Sequence, residues 1–279
     1  MLEKGKSLVS VILCNYNYDQ YVGDSINSIL RQTHENLQLV VVDDGSTDNS
    51  REIINTFVDS RIVKIFQKNS GQAAAFNAGY ERCTGEFIGF LDSDDFWDND
   101  KLSSALPFFD DENICMVQHN LRVVDRGSND TGRLQTKVKP GLTDVFSKYF
   151  RKNHTGFFVA TSGIVCRKSV LDKIFPLDVD WKICADVAFT RALPLFGKIY
   201  TISETLGSYR IHGENNWVNT QQQNQWLINQ RKYVDYTNHC LKKHGYQQQL
   251  VFEKSGMYRR NVLKNKIPGL RSFCDFLLR

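Results

Sequence analysis

The residues best suited to chemistry lie in one short stretch, Glu86 to Phe96, which reads Glu-Phe-Ile-Gly-Phe-Leu-Asp-Ser-Asp-Asp-Phe. The apolar run from Phe87 to Leu91 has the length and the aromatic and β-branched content of a buried strand, and it ends in Asp92, Asp94 and Asp95. Three acids so close together repel one another and resist burial, so they must face water, cap a helix or meet a cation. In open α/β sheets ligands bind beyond the carboxyl ends of the strands, where this cluster falls. Residue type and position together lead to the expectation of a divalent cation, Mn²⁺ or Mg²⁺, carrying a diphosphate. Hard cations take oxygen ligands, and they neutralise a phosphate leaving group. The competing use of Asp94 and Asp95 is to cap a helix expected near Asn99 to Leu106.

Other polar residues offer further chemistry. Asn15-Tyr16-Asn17-Tyr18 follows the apolar run Leu8–Cys14, and Asp43-Asp44-Gly45-Ser46-Thr47-Asp48 follows Leu37–Val42. A carboxylate at Asp44 can accept from a ribose hydroxyl or a base N–H, while the same segment is also good turn and capping sequence, with Asp48 as a cap. Gly71 and Asn77 are candidates for close approach to the ligand, although Gly71 serves equally as a turn residue before a helix. Asp186 opens a helical pattern and is either a general base or an N-cap. Asp178 and Asp180 stand nearby as alternatives. Arg210 and His212 precede a polar loop, where either could meet a diphosphate and His212 a metal, though a lone histidine is more often structural. Trp181 and Trp217 could stack on a sugar face or simply pack.

These residues need elements to position them. Helical spacing over Asp19–Gln32, Asn49–Phe57 and Gln72–Arg82 alternates with strands at Leu8–Cys14, Leu37–Val42, Ile62–Phe66 and Phe87–Leu91. Such alternation predicts a mainly parallel α/β sheet with helices on both faces. Right-handed crossovers then gather the carboxyl ends of the strands at one edge, so Cys14 to Asn17, Asp43 to Asp48 and Asp92 to Asp95 converge there. Past Asp95 the rhythm changes. The sequence predicts a helix at Lys101–Asp110, a strand at Ile114–Asn120, a loop or hairpin over Asp125–Pro140, a helical piece at Ser169–Ile174 and a helix from Asp186 to Phe196. Short strands follow at Ile199–Ile202 and Leu206–Ile211. This half reads as an α+β extension of the same sheet. A helix is expected from Trp226 to Lys243.

The whole chain bounds these readings. Its 279 residues suffice for one α/β domain with additions, and a net charge of +4 is too mild for a nucleic-acid binder. Seven dispersed cysteines lack zinc-type spacing and suggest a reducing compartment. The start reads as a strand with no signal peptide, and no apolar stretch approaches the roughly 18 residues of a spanning helix, so a cytoplasmic location is expected. Residues 250–279 carry seven basic side chains against two acids. That basic tail reads either as a docking face for the inner surface of an anionic membrane or as a solvated helix.

Taken in order, Val9-Ser10-Val11-Ile12 with Asn15-Tyr16-Asn17, Ser28-Ile29-Leu30-Arg31-Gln32-Thr33, Val41 to Asp48, Gly71 with Ala75 and Asn77, and Leu91 to Asp95 resemble the family 2 glycosyltransferases of the GT-A fold. The match is strong over residues 8 to about 100. It is looser over 157–216, through Ala185-Asp186 and Tyr209 to His212. The resemblance implies a GT-A domain over 1–216, with a donor-binding half to about residue 100 and an acceptor-binding half after it, and a helical basic tail over 217–279. It implies inverting transfer of a sugar from a nucleoside-diphosphate donor, expected to be a UDP-sugar, to a hydroxyl on a glycan or lipid-linked acceptor in polysaccharide or glycoconjugate synthesis. Cys14, Asn15, Asn17, Asp43 and Asp44 map to nucleoside contacts, joined by Gly71, Asn77, Asp92, Ser93 and Arg210 as donor contacts. Asp94, Asp95 and His212 map to the metal, and Asp186 to the base, preceded by Ala185 where many relatives carry Glu. The rival function is a non-catalytic nucleotide-binding protein on the same fold. Nucleotidyltransferases and dehydrogenases are disfavoured because no Gly-rich phosphate loop follows the first strand.

Overall fold

The first half follows the alternation that its apolar spacing predicts: β1 (Val9–Asn15), α1 (Asp19–Leu30), β2 (Leu37–Asp43), α2 (Ser50–Thr56), β3 (Ile62–Phe66), α3 (Gln72–Tyr80) and β4 (Phe87–Asp92). The computed structural model describes residues 7–146, 158–213, 215, 223–247 and 249–251. Then come β5 (Phe96–Trp97), α4 (Lys101–Ala105) with a 3₁₀ turn over Leu106–Asp110, β6 (Ile114–His119), β7 (Arg122–Val124), β8 (Asp130–Leu134) and β9 (Gly141–Thr143). After a 3₁₀ turn at Thr161–Gly163 follow β10 (Ile164–Arg167), α5 (Lys168–Leu171), α6 (Asp186–Ala192), β11 (Lys198–Ile202), β12 (Gly207–Arg210) and α7 (Gln223–Lys243).

An eight-stranded sheet runs β3-β2-β1-β4-β10-β6-β11-β9, and a four-stranded one runs β5-β12-β7-β8. β1 is parallel to both β2 and β4, and its register sets Asn15 beside Asp43 and Cys14 beside Asp92. The predicted convergence is thus a property of register. β10 runs antiparallel to β4 and to β6. Its amino end therefore lies at the edge where the parallel strands finish, and the Thr161–Gly163 turn arrives beside the acidic turn. The predicted hairpin is present as β7–β8.

Alternation along β1 supplies both faces of the core. Val9, Val11 and Leu13 pack with Val22, Ile26 and Ile29 of α1 and Ile54 of α2. On the other face Ile12 meets α3, where a Cβ at Gly79 would stand 2.8 Å from Ile12 Cγ2. Phe90 stacks on Phe189 at 4.6 Å, and Phe76 meets it edge-on at 5.5 Å.

The chain divides into two compact units, one of residues 1–144 with 158–219 and the other of Val145–Phe157 with Thr220–Arg279. In the second, α7 buries Tyr233, Val234, Thr237 and Leu241, and Asn238 exchanges two hydrogen bonds with Leu250. Trp217 and the basic side chains from Lys254 to Arg279 lie outside the described residues. Among the described residues no helix is long and apolar enough to cross a membrane.

Candidate active site

A cavity of about 610 Å³ opens at the carboxyl edge of β1, β2 and β4. That is within the usual size of ligand pockets. Of the residues singled out from sequence, Cys14, Asn15, Asp44, Gly71, Asp92, Ser93, Asp94 and Asp186 line it. Asn17, Asp43, Asn77, Asp95, Arg210 and His212 do not, and each has a structural use instead.

Asp95 is fully buried beneath the acidic turn. Its Oδ2 accepts from Ser162 Oγ at 2.5 Å and its Oδ1 from the Arg210 N–H at 2.9 Å. Ser162 O in turn accepts from Lys101 Nζ at 2.6 Å and Trp97 Nε1 at 2.7 Å, and the ammonium lies 3.7 Å from the Trp97 ring centroid. Burial drives Lys101 well below the usual lysine range, with the Asp95 charge opposing. The Asp95 carboxyl is itself raised by burial and by Asp94 and Asp92, against the pull of its two donors. Asp95, expected as a metal ligand, thus carries one internal hydrogen bond on each oxygen and does not line the cavity.

Arg210 is not a cavity residue either. Its Nε donates to Asp94 O at 2.9 Å, its Nη1 to Ser128 Oγ at 2.8 Å, and its guanidinium lies 4.7 Å from the Tyr21 ring centroid. The buried His212 ring donates from Nε2 to Asp94 Oδ2 at 3.1 Å and packs between Tyr18 and Tyr21. His212 thus steadies a carboxylate through Nε2, while its buried Nδ1 has no hydrogen-bond partner among the described residues, and the residue does not line the cavity. Asn215 Nδ2 reaches the same Asp94 oxygen at 3.2 Å.

The acidic turn after β2 is also consumed internally. Asp43 Oδ1 accepts from Asn15 Nδ2 at 2.9 Å and from Ser46 Oγ. Asn17, at φ 59°, accepts the Thr47 N–H at 2.7 Å. Asp44 Oδ1 accepts from Gln67 Nε2 and the Ser70 N–H, and its Oδ2 from the Gly71 N–H at 2.8 Å. A carboxylate offers about four lone-pair sites, so Oδ2 keeps one for a ligand. Asn77 pairs with the backbone of Leu177 through bonds of 2.8 and 2.7 Å, which removes it from donor contact. Gly71 sits at φ +91°, and a Cβ there would lie 2.9 Å from Lys182 Cα. Both the left-handed backbone and the close approach of the 181–185 segment require glycine.

Asp92 and Asp94 remain open. The half-buried Asp92 carboxyl is raised well above the usual range by desolvation and then by the charges of Asp94 and Asp186. Asp94 Oδ2 is held by His212 and Asn215, while Oδ1 has no partner among the described residues. Two further buried oxygens in the lining, Asn15 Oδ1 and Ser93 Oγ, lack partners. These are hard oxygen donors and fit a Mg²⁺ or Mn²⁺ ion. Among the described residues no three His, Cys, Asp or Glu side chains cluster as a closed metal site. Asp92 and Asp94 would thus supply part of a coordination shell that a phosphate ligand and water complete.

Asp186 begins α6. Burial raises its carboxyl, opposed by the Thr161 hydroxyl, the Val187 N–H and the Arg191 charge. A carboxyl that holds its proton to higher pH is a better proton acceptor near neutrality. Asp178 and Asp180, the alternatives, are exposed and do not line the cavity. Sequence reading assigns no role to Gln72, Thr161, Lys182, Arg191 and Tyr209, which also line it. Gln72, next to Gly71, and Tyr209, next to Arg210, carried a positional signal.

The model of glycosyl transferase family 2 matches residues 10–175. An uncharacterized glycosyltransferase of Nostoc sp. is 37% identical over 261 residues, covering 90% of this chain and 81% of the relative. The Escherichia coli UDP-Glc:alpha-D-GlcNAc-diphosphoundecaprenol beta-1,3-glucosyltransferase WfgD is 38% identical over 122 residues, which cover 43% of this chain and 48% of that enzyme. The crystal structure of S. aureus TarS 1–349 in complex with UDP-GlcNAc superposes with a TM-score of 0.67 at 18% identity, over 91% of this chain and 72% of that one. The shared architecture is the GT-A fold, and the chain belongs to glycosyl transferase family 2 as a sugar-transferring enzyme.

Proposed function

We propose that the cavity binds a UDP-sugar and transfers its hexosyl group, with inversion, to a hydroxyl of a glycan or lipid-linked acceptor. The observation that carries this reading is the joint exposure of Asp92, Asp94 and Asp186 to one cavity that Asp44 also lines, with Asp43 and Asp95 bonded away from it. The printed activity of the relative WfgD, with its UDP-glucose donor and lipid-diphosphate acceptor, and the UDP-GlcNAc complex of TarS support the choice of ligands.

In this reading Asp44 uses its remaining lone pair, and Asn15 its unpartnered Oδ1, to accept from the nucleoside. Asp92 and Asp94 hold Mn²⁺ or Mg²⁺, which when bound neutralises the leaving diphosphate. The Thr161 hydroxyl and the Val187 N–H orient the Asp186 carboxylate. Asp186 takes the proton of the acceptor hydroxyl as that oxygen attacks the anomeric carbon opposite the diphosphate.

Asp186→Asn separates transfer from binding. The expected result is a loss of transfer of about 10²–10⁴-fold, the usual share of a general base, with unchanged affinity for UDP by titration calorimetry. Full transfer by the Asn variant would remove Asp186 from the mechanism. Absence of transfer in the unaltered chain, with every nucleotide sugar and acceptor tried, would favour a binding protein.

A further inference from the structure

We propose that Gln72 is a positioning residue for Asp186, and that α3 is the brace through which the donor-side loop fixes the base. This inference rests on the reading of Asp186 as the base.

α3 grips the connection from β10 to α6 along its whole length. At its far end Tyr80 donates to Asp172 Oδ1 at 2.8 Å and stacks on Phe175 at 4.2 Å. In its middle Asn77 makes the reciprocal pair with Leu177. At its start the Gln72 and Ala73 N–H groups donate to Lys182 O at 3.0 Å and Trp181 O at 3.1 Å. A helix normally leaves its first N–H groups unpaired, and here two of them are satisfied by the approaching chain. The start of α3 is thereby closed to a phosphate and given over to the 181–185 segment. Lys182 Nζ returns a bond to Ser70 O at 2.9 Å, and Asp44 holds Ser70 and Gly71 from below.

The last link is the Gln72 side chain. Its Oε1 accepts the Ala185 N–H at 2.8 Å, one residue before Asp186. Ala185 precedes the first turn of α6, and no helical carbonyl is available to its N–H. The residue before it, Cys184, has φ +56°, a left-handed conformation that non-glycine residues adopt at a cost and keep only when their neighbours hold it. The Gln72–Ala185 bond is a side-chain tie at that point. The aim of the Asp186 carboxylate follows from the backbone at 184–186, so this tie sets where the base points. Gln72 and Asp186 both line the cavity, which makes the tie part of the site's own wall.

The test compares two side chains of similar length. Gln72→Glu keeps an oxygen that can accept the Ala185 N–H, whereas Gln72→Met keeps the length and removes it. UDP affinity is measured by calorimetry with Mn²⁺, and UDP release at steady state from UDP-glucose with an alkyl-diphosphate-linked GlcNAc acceptor, beside Asp186→Asn. Gln72→Met should lose kcat on the order of 10-fold or more, as small misplacements of a reacting group do, while UDP affinity and the KM for UDP-glucose stay within about twofold. Gln72→Glu should recover most of that kcat. Hydrogen exchange at 183–190 should quicken in the Met variant and return in the Glu variant. Equal kcat in the Met variant and the unaltered chain, or equal loss in both variants, overturns the inference while leaving the base reading intact. Full transfer by Asp186→Asn overturns the base reading itself.

Discussion

Two acidic turns end the parallel strands on either side of β1, and they look alike in sequence, yet the protein uses them differently. In the turn after β2, Asp43 and Asp44 accept hydrogen bonds from Asn15, Ser46, Gln67, Ser70 and Gly71. Their charge is spread over donors from three loops. In the turn after β4 Asp95 is treated this way on both oxygens and Asp94 on one, while Asp92 and the other Asp94 oxygen are left facing the cavity with raised mutual repulsion. The first turn builds the loop that shapes the site. The second stores unsatisfied negative charge that a cation can relieve. A carboxylate's role is thus fixed by which donors the tertiary structure delivers to it.

Substitutions can break this contrast. The largest effect is expected at the open carboxylates. Asp94→Asn should lower transfer by about 10³-fold or more, since the developing diphosphate charge loses its counter-charge. The same assay on Asp92→Asn should show a comparable loss, and its thermal stability without metal should rise. The sign follows from its raised carboxyl. The folded state holds the Asp92 proton to higher pH than the unfolded chain does, so stability falls as pH climbs from about 4 through the raised value. At neutral pH the ionised group is destabilising, and the amide removes that cost.

Asp95→Ala should do the reverse. It strands the Ser162 hydroxyl and the Arg210 N–H and leaves Lys101 without its opposing charge, at roughly 1–3 kcal/mol for each stranded donor, measured by urea unfolding. Asp44→Asn turns one N–H₂ toward backbone donors and should cost about 1–3 kcal/mol, with UDP affinity falling alongside. The smallest effect is a shift in pH profile. The ascending limb of kcat/KM should lie above the ordinary aspartate range because burial raises Asp186, with activity lost as pH drops and the base takes a proton. Arg191→Gln removes a charge that lowers the Asp186 carboxyl and should move that limb upward.

Much of this was legible in the chain and some was not, for identifiable reasons. The parallel half is written in local periodicity, so β3 falls at Ile62–Phe66 as its residues predict. β1 and β4 end within one residue of expectation, and Asp44, Asp92 and Asp94 line the cavity. The antiparallel direction of β10 is a long-range choice that the Ser- and Gly-interrupted run 157–166 does not encode. Ser162 and Thr161 were invisible for that reason, although they support Asp95 and Asp186. Lys101, at the start of a predicted helix, is wholly buried, where Ser162 O accepts from its ammonium and the Asp95 charge favours its protonated form. Asn77 and Arg210 show the same limit of local sequence: a polar residue near a sheet edge has the same letter whether it faces a ligand or a backbone carbonyl.

The most direct measurement is thermal stability with UDP, with and without Mn²⁺, for the unaltered chain, Asp94→Asn and Asp95→Ala. Saturation at about a hundredfold over Kd contributes roughly 2.7 kcal/mol, a shift of about 5 °C or more for a chain of this size. The account predicts that shift for the unaltered chain with UDP and Mn²⁺ together, a smaller one with UDP alone, and no added effect of Mn²⁺ in Asp94→Asn. Asp95→Ala should start from a lower melting temperature and keep its Mn²⁺-dependent increment. No shift with UDP in the unaltered chain, with or without Mn²⁺, would contradict it, as would an Mn²⁺ increment that depends on Asp95 and not on Asp94.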